Sequence, residues 1–544
     1  MIGINIGSQN TKFSAGNLIC VKDVYSAYDF KMNQTLNDYV DRFILSIVQF
    51  KEDNILIGES TKLGYKKYNL STFENLSRLI GFRYDLGINK EEHKYLYSNK
   101  NYIKEENKFK FNLKNIEYSI TGDYLVYAFI NEVHKKIQYK LKTNETQKFI
   151  FSTPDYYTLY QKQSLKNILK ALNIIQDNNN DLPIINESTA LTMYYGYLNY
   201  NELTDENQYI IFVDIGHSKT SFILSEFSRK KFSVKCVENI PFLGGRDINN
   251  ELFELCLNEF KKQNNIELKV TGRNKIRLLE EIEKAKKTLT INSEASINVD
   301  AIQNEIDFSF EITKEKFEDI IQNFVSQIKI KLTIFLMKIK KYKPIKIEMA
   351  GQLLRIPILQ KIIEETVEMS ISKTMSISKT IAMDECHSLG SLLYGIFISG
   401  KKKFEELETV DSYNNYTISV EINKIINRHF IGDIIPYKNA ILVTKKKKEN
   451  DIDKSLKIKT FYSKYNFKDF DWGDNYDIYY YSFKKIFENK KVLFIDYKID
   501  DSNEFDFSYN NDSFTKDDKG ILSLSENKKF INDIKNSSLV EIKS

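Results

Sequence analysis

The chain has 544 residues, enough for two or three domains with full-sized cores. Lys and Arg (79) nearly balance Asp and Glu (74), and a net charge of +5 argues against a dedicated nucleic-acid binder, which should carry a strong basic excess. Cys20, Cys236, Cys256 and Cys386 are widely spaced with no CxxC, and the five histidines form no HExxH, so structural zinc and a disulfide framework are not expected and a reducing compartment fits. No apolar run approaches the ~20 residues of a membrane helix. Met1–Ile6 enters a strand directly, with no room for a leader's basic and apolar regions. The expectation is a soluble cytoplasmic protein, with the nucleus also open, that engages neither nucleic acid nor membrane.

The first predicted element is a hairpin over Met1–Ala15 (MIGINIGSQNTKFSA), a strand running into a Gly-opened polar turn and back. Ile55–Gly58 reads as a short strand and Phe73–Gly81 as a helix closed by a C-cap Gly. Lys108–Gly122 alternates as strands do, and Tyr124–Leu141 carries Leu125, Phe129, Val133 and Ile137 on one helical face. Phe149–Thr153 is a strand, Leu159–Asn173 a helix, and Ile184–Ile185 a strand leading into Asn186–Thr189, which cap a helix through Leu198. This alternation marks an α/β domain.

Ile210–Glu226 (IIFVDIGHSKTSFILSE) then repeats the opening hairpin. Asn5 aligns with Asp214, Gly7 with Gly216, Thr11 with Thr220 and Phe13 with Phe222, at a constant offset of 209 positions. Two hairpins of one design indicate a duplicated domain with one hairpin in each half. A Gly-opened turn leaves backbone N–H groups to face an anion, and a neighbouring carboxylate can hold a hydrated metal ion. Two such turns facing one another would clamp the phosphates of a nucleotide. The second half continues with FLGGRD (Phe242–Asp247), helices over Asn249–Lys262 and Asn274–Leu289, strands within Ala295–Phe310 and a helix over Lys314–Lys340. A strand at Ile345–Met349 runs into GQLLRIP (Gly351–Pro357), and the Asp384–Ile398 helix closes the domain.

Composition shifts at Ser399. Gly400–Asp411 is charged and reads as a linker, and short alternating segments between Tyr416 and Phe514 read as an antiparallel β-sandwich. The predicted division is a nucleotide-binding domain over 1–398, a linker over 399–411, a β-sandwich over 412–515 and a polar tail over 516–544.

Taken together, Gly3–Gly7, Ile57–Lys62 (IGESTK), Arg78–Gly81 (RLIG), Ile185–Gly196, Phe212–Ser218 (FVDIGHS), Gly244–Asp247 (GGRD), Glu283–Leu289, Arg355–Pro357 (RIP) and Asp384–Glu385 resemble the seventy-kilodalton heat-shock chaperone superfamily in that family's order. FVDIGHS and GGRD are similar to its divergent hundred-and-ten-kilodalton branch, whose members act as exchange factors for ordinary members. The resemblance implies an actin-like, duplicated ATPase domain that binds ATP or ADP with Mg²⁺. It also implies the site. Gly7, Ser8, Gly216 and His217 would lie against the phosphates, and Lys62 would place a charge near the terminal phosphate. Glu187 and Asp214 would orient Mg²⁺ through its waters. Gly244 and Gly245 would approach the nucleotide, Glu283, Lys286 and Thr290 would bond its ribose or base, and Arg355 would stack on adenine. Gly351 and Asp384 would line the same cleft, and Pro154 would link nucleotide state to the second domain.

The chain departs from the family at Asn5, where a carboxylate is usual, at Gln352 and Leu353, where small residues are usual, and at Lys219, where a small hydroxyl residue is usual. Weak or absent hydrolysis is therefore expected. The polar stretch after the last strand is shorter than the helical bundle of the branch's long members, and the apolar linker of ordinary chaperones is replaced by charge. Several functions stay open. The chain could be an exchange factor for an ordinary cytosolic chaperone, with unfolded peptide on its β-sandwich, or a catalytically idle subunit of a ribosome-associated complex with a J-domain protein. An active ATP-dependent chaperone is a third reading and a sugar kinase a remote fourth.

Overall fold

A computed structural model describes residues 1–15, 43–52, 54–82, 102–103, 106–114, 116–141, 148–175, 184–371, 375–399 and 406–413. Beyond these it describes strands between Thr417 and Asp517, with side chains described no further than Ser412. Residues 518–544, Cys20 and the first part of the charged stretch, 400–405, lie outside the described residues.

The sheet of the first half is built on the opening hairpin. Ile2–Ile6 pairs antiparallel with Asn10–Ala15 and parallel with Phe149–Thr153, which pairs in turn with Ile184–Asn186, while Ile44–Leu45 lies on the far edge. The second half repeats this order around Gln208–Ile215, flanked antiparallel by Thr220–Phe227 and parallel by Lys346–Ala350, with Ser376–Ser378 beyond. The register repeats as well. Asn5 stands opposite Lys12 and Ile6 opposite Thr11, as Asp214 stands opposite Ser221 and Ile215 opposite Thr220. Parallel strands with both faces covered explain the near-continuous apolar runs IGINI and IIFVDI.

Each half has its own core. Ile4, Phe50, Phe73, Phe129 and Phe151 anchor the first, and Phe222, Ile282, Leu332 and Met349 the second. A third cluster joins residues from both, among them Met1, Ile150, Leu191, Phe212, Ile223 and Leu392. It is organised by the Glu187–Leu198 and Cys386–Ile398 helices, which cross so closely that a Cβ on Gly390 would run into the Ala190 carbonyl. This crossing holds the start of the Cys386–Ile398 helix beside the second hairpin.

Several elements differ from the sequence reading. Phe73–Gly81 is a strand end followed by a 3₁₀ turn over Leu76–Leu79, although Gly81 does take the positive φ (61°) of a chain-terminating Gly. Lys314–Lys340 divides into two helices, Lys314–Ile320 and Gln322–Ile339. The Glu187 helix has no side-chain cap from Asn186. Instead Asp155, over thirty residues upstream, accepts the Ser188 backbone N–H at 3.1 Å and the Ser188 hydroxyl. Lys231–Ile240 is a further strand against Thr220–Phe227. The end of the charged stretch, Thr409–Tyr413, forms a strand that pairs parallel with Lys231–Ser233.

Past Tyr413, Ile434–Ile435 pairs with Ser412 and Tyr413 at the edge of the second sheet, and the remaining strands form two antiparallel arrays. One joins Thr417–Ile422, Ile425–His429, Leu456–Ser463, Tyr476–Phe483 and Thr515–Asp517; the other joins Tyr437–Thr444, Val492–Ile499, Phe505–Tyr509 and Asp512–Ser513. Among the described residues no single helix is long and apolar enough to cross a membrane. The bent pair Lys314–Ile320 and Gln322–Tyr342 passes that test only jointly, and Phe324, Ile328, Leu332, Phe335 and Ile339 bury its apolar side in the second core.

Candidate functional site: a charged cleft between two matching turns

The two hairpin turns close in the same way. The Gly7 N–H donates to the Asn10 carbonyl at 3.1 Å, and the Gly216 N–H donates to the Lys219 carbonyl at 2.9 Å. Ser8 is buried in the first turn, and His217 sits in the second with its imidazole pushed down to about 3, by burial first and then by the Lys286 ammonium. His217 is therefore neutral at physiological pH and would meet an anion as a hydrogen-bonding group rather than a cation.

The second turn is stitched to the start of the Gly245–Asn264 helix. Gly245 N–H donates to the Gly216 carbonyl (3.0 Å), Arg246 N–H to the His217 carbonyl (2.7 Å), and Gly244 N–H to Asp247 Oδ2 (2.7 Å). Behind that helix start, the buried Lys286 ammonium donates to Glu283 Oε2 at 2.6 Å and to Asn249 Oδ1 at 2.8 Å, and Asn249 Nδ2 returns a bond to Glu283 Oε2 at 2.9 Å. Burial opposes charge on Glu283, but Lys286 and Asn249 outweigh it and hold the carboxyl at about 2. Lys286 and Leu353 both face Gly245, since a Cβ built there would lie 3.4 Å from Lys286 Nζ and 3.3 Å from Leu353 Cδ1.

The strand ends supply a second charged group. Asn5, Glu187 and Asp214 are buried, placed by the ends of three strands and the start of the Glu187 helix. Asn5 Nδ2 donates to Glu187 Oε1 at 2.7 Å and to Ser152 Oγ at 3.1 Å. The Lys219 ammonium lies 2.8 Å from Asp214 Oδ2 and 2.8 Å from Glu187 Oε2. His387 Nε2, from the Cys386–Ile398 helix, stands 3.6 Å from the same Asp214 oxygen. Burial works against every one of these charges, and their mutual attraction overcomes it. Lys219 is driven up by Asp214 and Glu187, and both carboxyls are driven down by Lys219. Gly351, with φ of 85°, packs against this group, and a Cβ there would lie 2.7 Å from Asp214 Oδ1.

A third pair borders the cleft. Lys12 Nζ lies 3.3 Å from Asp384 Oδ2 and also donates to the Asp384 carbonyl, while Gln352 Nε2 reaches the same Oδ2 at 3.3 Å. Arg78, fully buried, crosses from the first half to donate to the Ser218 carbonyl at 2.5 Å and to the Pro241 carbonyl.

The fold thus ties Gly216 and His217 to the helix start at Gly244 and Gly245, sets the bonded pair Glu283 and Lys286 beside Gly245, and packs Gly351 against the Glu187–Lys219–Asp214 group, with Gly7 and Ser8 in the first turn and Asp384 on Lys12. Three expected residues stand apart from these bonds. The Lys62 side chain is 48% exposed and pairs with Glu59 at 2.6 Å. Arg355 is exposed at the end of a 3₁₀ turn, and Thr290 bonds the Lys287 carbonyl at 2.7 Å. The sequence marks Lys219 only as a departure from the family and Arg78 only as part of a motif, and sequence reasoning misses Lys12, Asn249 and His387. Lys12 is legible as the residue facing Asn5 across the hairpin, whereas nothing in the sequence marks His387.

A sequence model of the family described as Hsp70 protein matches residues 2–476. The chain belongs to the Hsp70 family. That membership brings the actin-like ATPase fold of the family to the duplicated sheets described above, and the family is one that binds ATP with Mg²⁺. Among curated proteins, the chain is 27% identical over 355 residues to a heat shock protein homolog of Lachancea kluyveri, covering 64% of this chain and 50% of that protein. The corresponding heat shock protein homolog of Saccharomyces cerevisiae is 25% identical over 354 residues with the same coverage. A ribosome-associated molecular chaperone of Zygosaccharomyces rouxii is 24% identical over 463 residues, covering 82% of this chain and 69% of that protein. The chain spans about half the length of the two heat shock protein homologs it matches.

The residues present fit the family's divalent ion poorly. Glu187 Oε1 already accepts from Asn5, and Glu187 Oε2 and Asp214 Oδ2 already face one ammonium. Two carboxylates that would attract a dication are already bridged by a cation of the chain itself.

Proposed function

We propose that this chain is a co-chaperone of the Hsp70 family that takes ATP or ADP weakly or without turnover and promotes nucleotide exchange on an ordinary cytosolic Hsp70 partner. The observation that carries the reading is the substitution pattern in the cleft. Asn5 stands where the family has a carboxylate and Lys219 where it has a small hydroxyl residue, while Lys62, which matches the family, pairs with Glu59 at 2.6 Å. On this reading the turns, Gly244, Gly245, Glu283 and Lys286 keep the frame for a nucleotide, while Asn5 and Lys219 change the surroundings of the two carboxylates expected to orient Mg²⁺. The exchange role rests on FVDIGHS and GGRD and on the similarity to the yeast heat shock protein homologs. In this reading residues 1–398 form the nucleotide domain, 399–411 a linker, 412–515 a β-sandwich able to hold unfolded peptide, and 516–544 a polar tail. The two antiparallel arrays past Tyr413 are consistent with such a sandwich.

A second reading has its own observation. The match to the ribosome-associated molecular chaperone covers more of the chain (82% against 64%), in keeping with a ribosome-associated role, and Asn5 adds to it the reading of a catalytically idle subunit held with a J-domain protein. Release of fluorescent ADP from the same organism's ordinary cytosolic Hsp70 separates the two. The exchange reading expects a large acceleration when this protein is added. No acceleration, with a stable ribosome-associated complex recovered from cells, sinks it in favour of the second.

A further inference from the structure

We propose that the Lys219 ammonium is a built-in substitute for the divalent cation of this cleft, so that Glu187 and Asp214 are held without a metal ion and any nucleotide enters metal-free. The geometry is that of a bridging cation. One Nζ stands 2.8 Å from an oxygen of each carboxylate, and Lys219 lies on the turn that joins two strands of the second sheet, one of which carries Asp214. The turn fixes its backbone through the Gly216 N–H bond at 2.9 Å, and Ser221 Oγ lies 3.3 Å from the same Nζ, so the ammonium is aimed inward by its surroundings. Asn5 removes the demand for a cation on the other side of Glu187, because its amide donates where a carboxylate would repel.

An ammonium and a hydrated dication differ in what they can do here. Either can bridge two carboxylates, the dication offsetting both charges and the ammonium one of them. Only the metal has several coordination positions with which to hold waters and phosphate oxygens in a set geometry. A tethered Lys holds the two carboxylates together but cannot orient an attacking water against a phosphate. Removing the Lys219 side chain would leave Glu187, Asp214 and His387 as a bare group whose ligand atoms all lie within 4.8 Å of one another, a spacing a transition-metal ion can span.

The nucleotide half of this inference rests on the reading of the cleft given above, whereas the cation half stands on these side chains alone. The test is Mn²⁺ binding to the full chain, followed by electron paramagnetic resonance, for the wild type, Lys219→Ala and Lys219→Arg, first without nucleotide and then with ATP. The wild type and Lys219→Arg should take up no Mn²⁺ in the cleft, and Lys219→Ala should bind it at least roughly tenfold more tightly. Mn²⁺ bound by the wild type at Glu187 and Asp214, with or without ATP, would overturn the inference, and that result does not depend on any variant folding. Fluorescent ATP binding in excess EDTA is read in parallel. Binding as tight as in Mg²⁺ supports metal-free entry, and binding that appears only with Mg²⁺ refutes it. A wild type that binds neither Mn²⁺ nor nucleotide would remove the nucleotide reading and leave the role of Lys219 intact.

Discussion

Asn5 and Lys219 shift the electrostatics of the cleft in one direction, toward neutrality without a bound ion. Replacing Asn5 by Asp would set two carboxylates against each other at the present 2.7 Å contact with Glu187 and cost about 2–3 kcal/mol of stability. Urea unfolding at neutral pH should show that loss. It should shrink as pH falls, because like-charge contact raises the pKa of the pair and one carboxyl then takes up a proton. Glu283 gives the opposite sign. Its carboxyl is depressed to about 2, so its contribution is fully present above the ordinary carboxyl range near 4.5 and is lost as pH falls toward 2. The difference in unfolding free energy between wild type and Glu283→Gln should therefore be flat above about pH 5 and decline below it, by on the order of 3 kcal/mol in all. A difference constant down to the acid limit would show that Glu283 is not ion-paired in the folded chain. At this scale Asp214, Gly7 and Gly216 are legible in the sequence because strand ends and Gly-opened turns fix where short groups sit, whereas Glu187 and the other glycines enter only through the family resemblance. Lys219 was visible as an oddity but its contact was not. Four methylenes on a turn residue can swing to either side, and only the carboxylate from a helix some thirty residues upstream settles which.

The repeated hairpin is the most legible element. A constant offset of 209 positions predicted two equivalent strand pairs, and both the pairing and the closing turn bond recur at that offset. The Lys231–Ile240 strand was missed although Phe232, Val234 and Cys236 alternate through its first part, and Phe73–Gly81 was read as helix from a pattern too short to distinguish. The helix cap from Asp155 could not be read from local sequence, since Asn186 is itself a good capping residue and the winning carboxylate comes from another loop. Two substitutions test these elements. Gly390→Ala should destabilise by about 3 kcal/mol or more, since the added methyl meets the Ala190 backbone with no flexible side chain to yield. Asp155→Ala should cost about 1–2 kcal/mol through the lost cap. Both are read from urea unfolding midpoints, and a Gly390→Ala protein as stable as wild type would refute the close helix crossing.

In the whole molecule, the cleft is held by contacts that join the halves as much as by the groups inside it. Arg78 leaves the first half to cap two carbonyls of the second, with its guanidinium over Phe242 at 5.0 Å and Tyr156 at 5.1 Å. Arg78→Met keeps the bulk but strands those carbonyls, at a cost of roughly 2–4 kcal/mol. Amide hydrogen exchange should quicken around the second turn in that variant. Unchanged protection there would mean the halves are held together elsewhere. The most direct test of the central claim, a nucleotide frame that has lost its hydrolytic chemistry, is single-turnover release of phosphate from ATP by the wild-type chain. No release above that of ATP alone is predicted, with Mg²⁺ or without. Protein-dependent release at the rate of ordinary Hsp70 chaperones would contradict it.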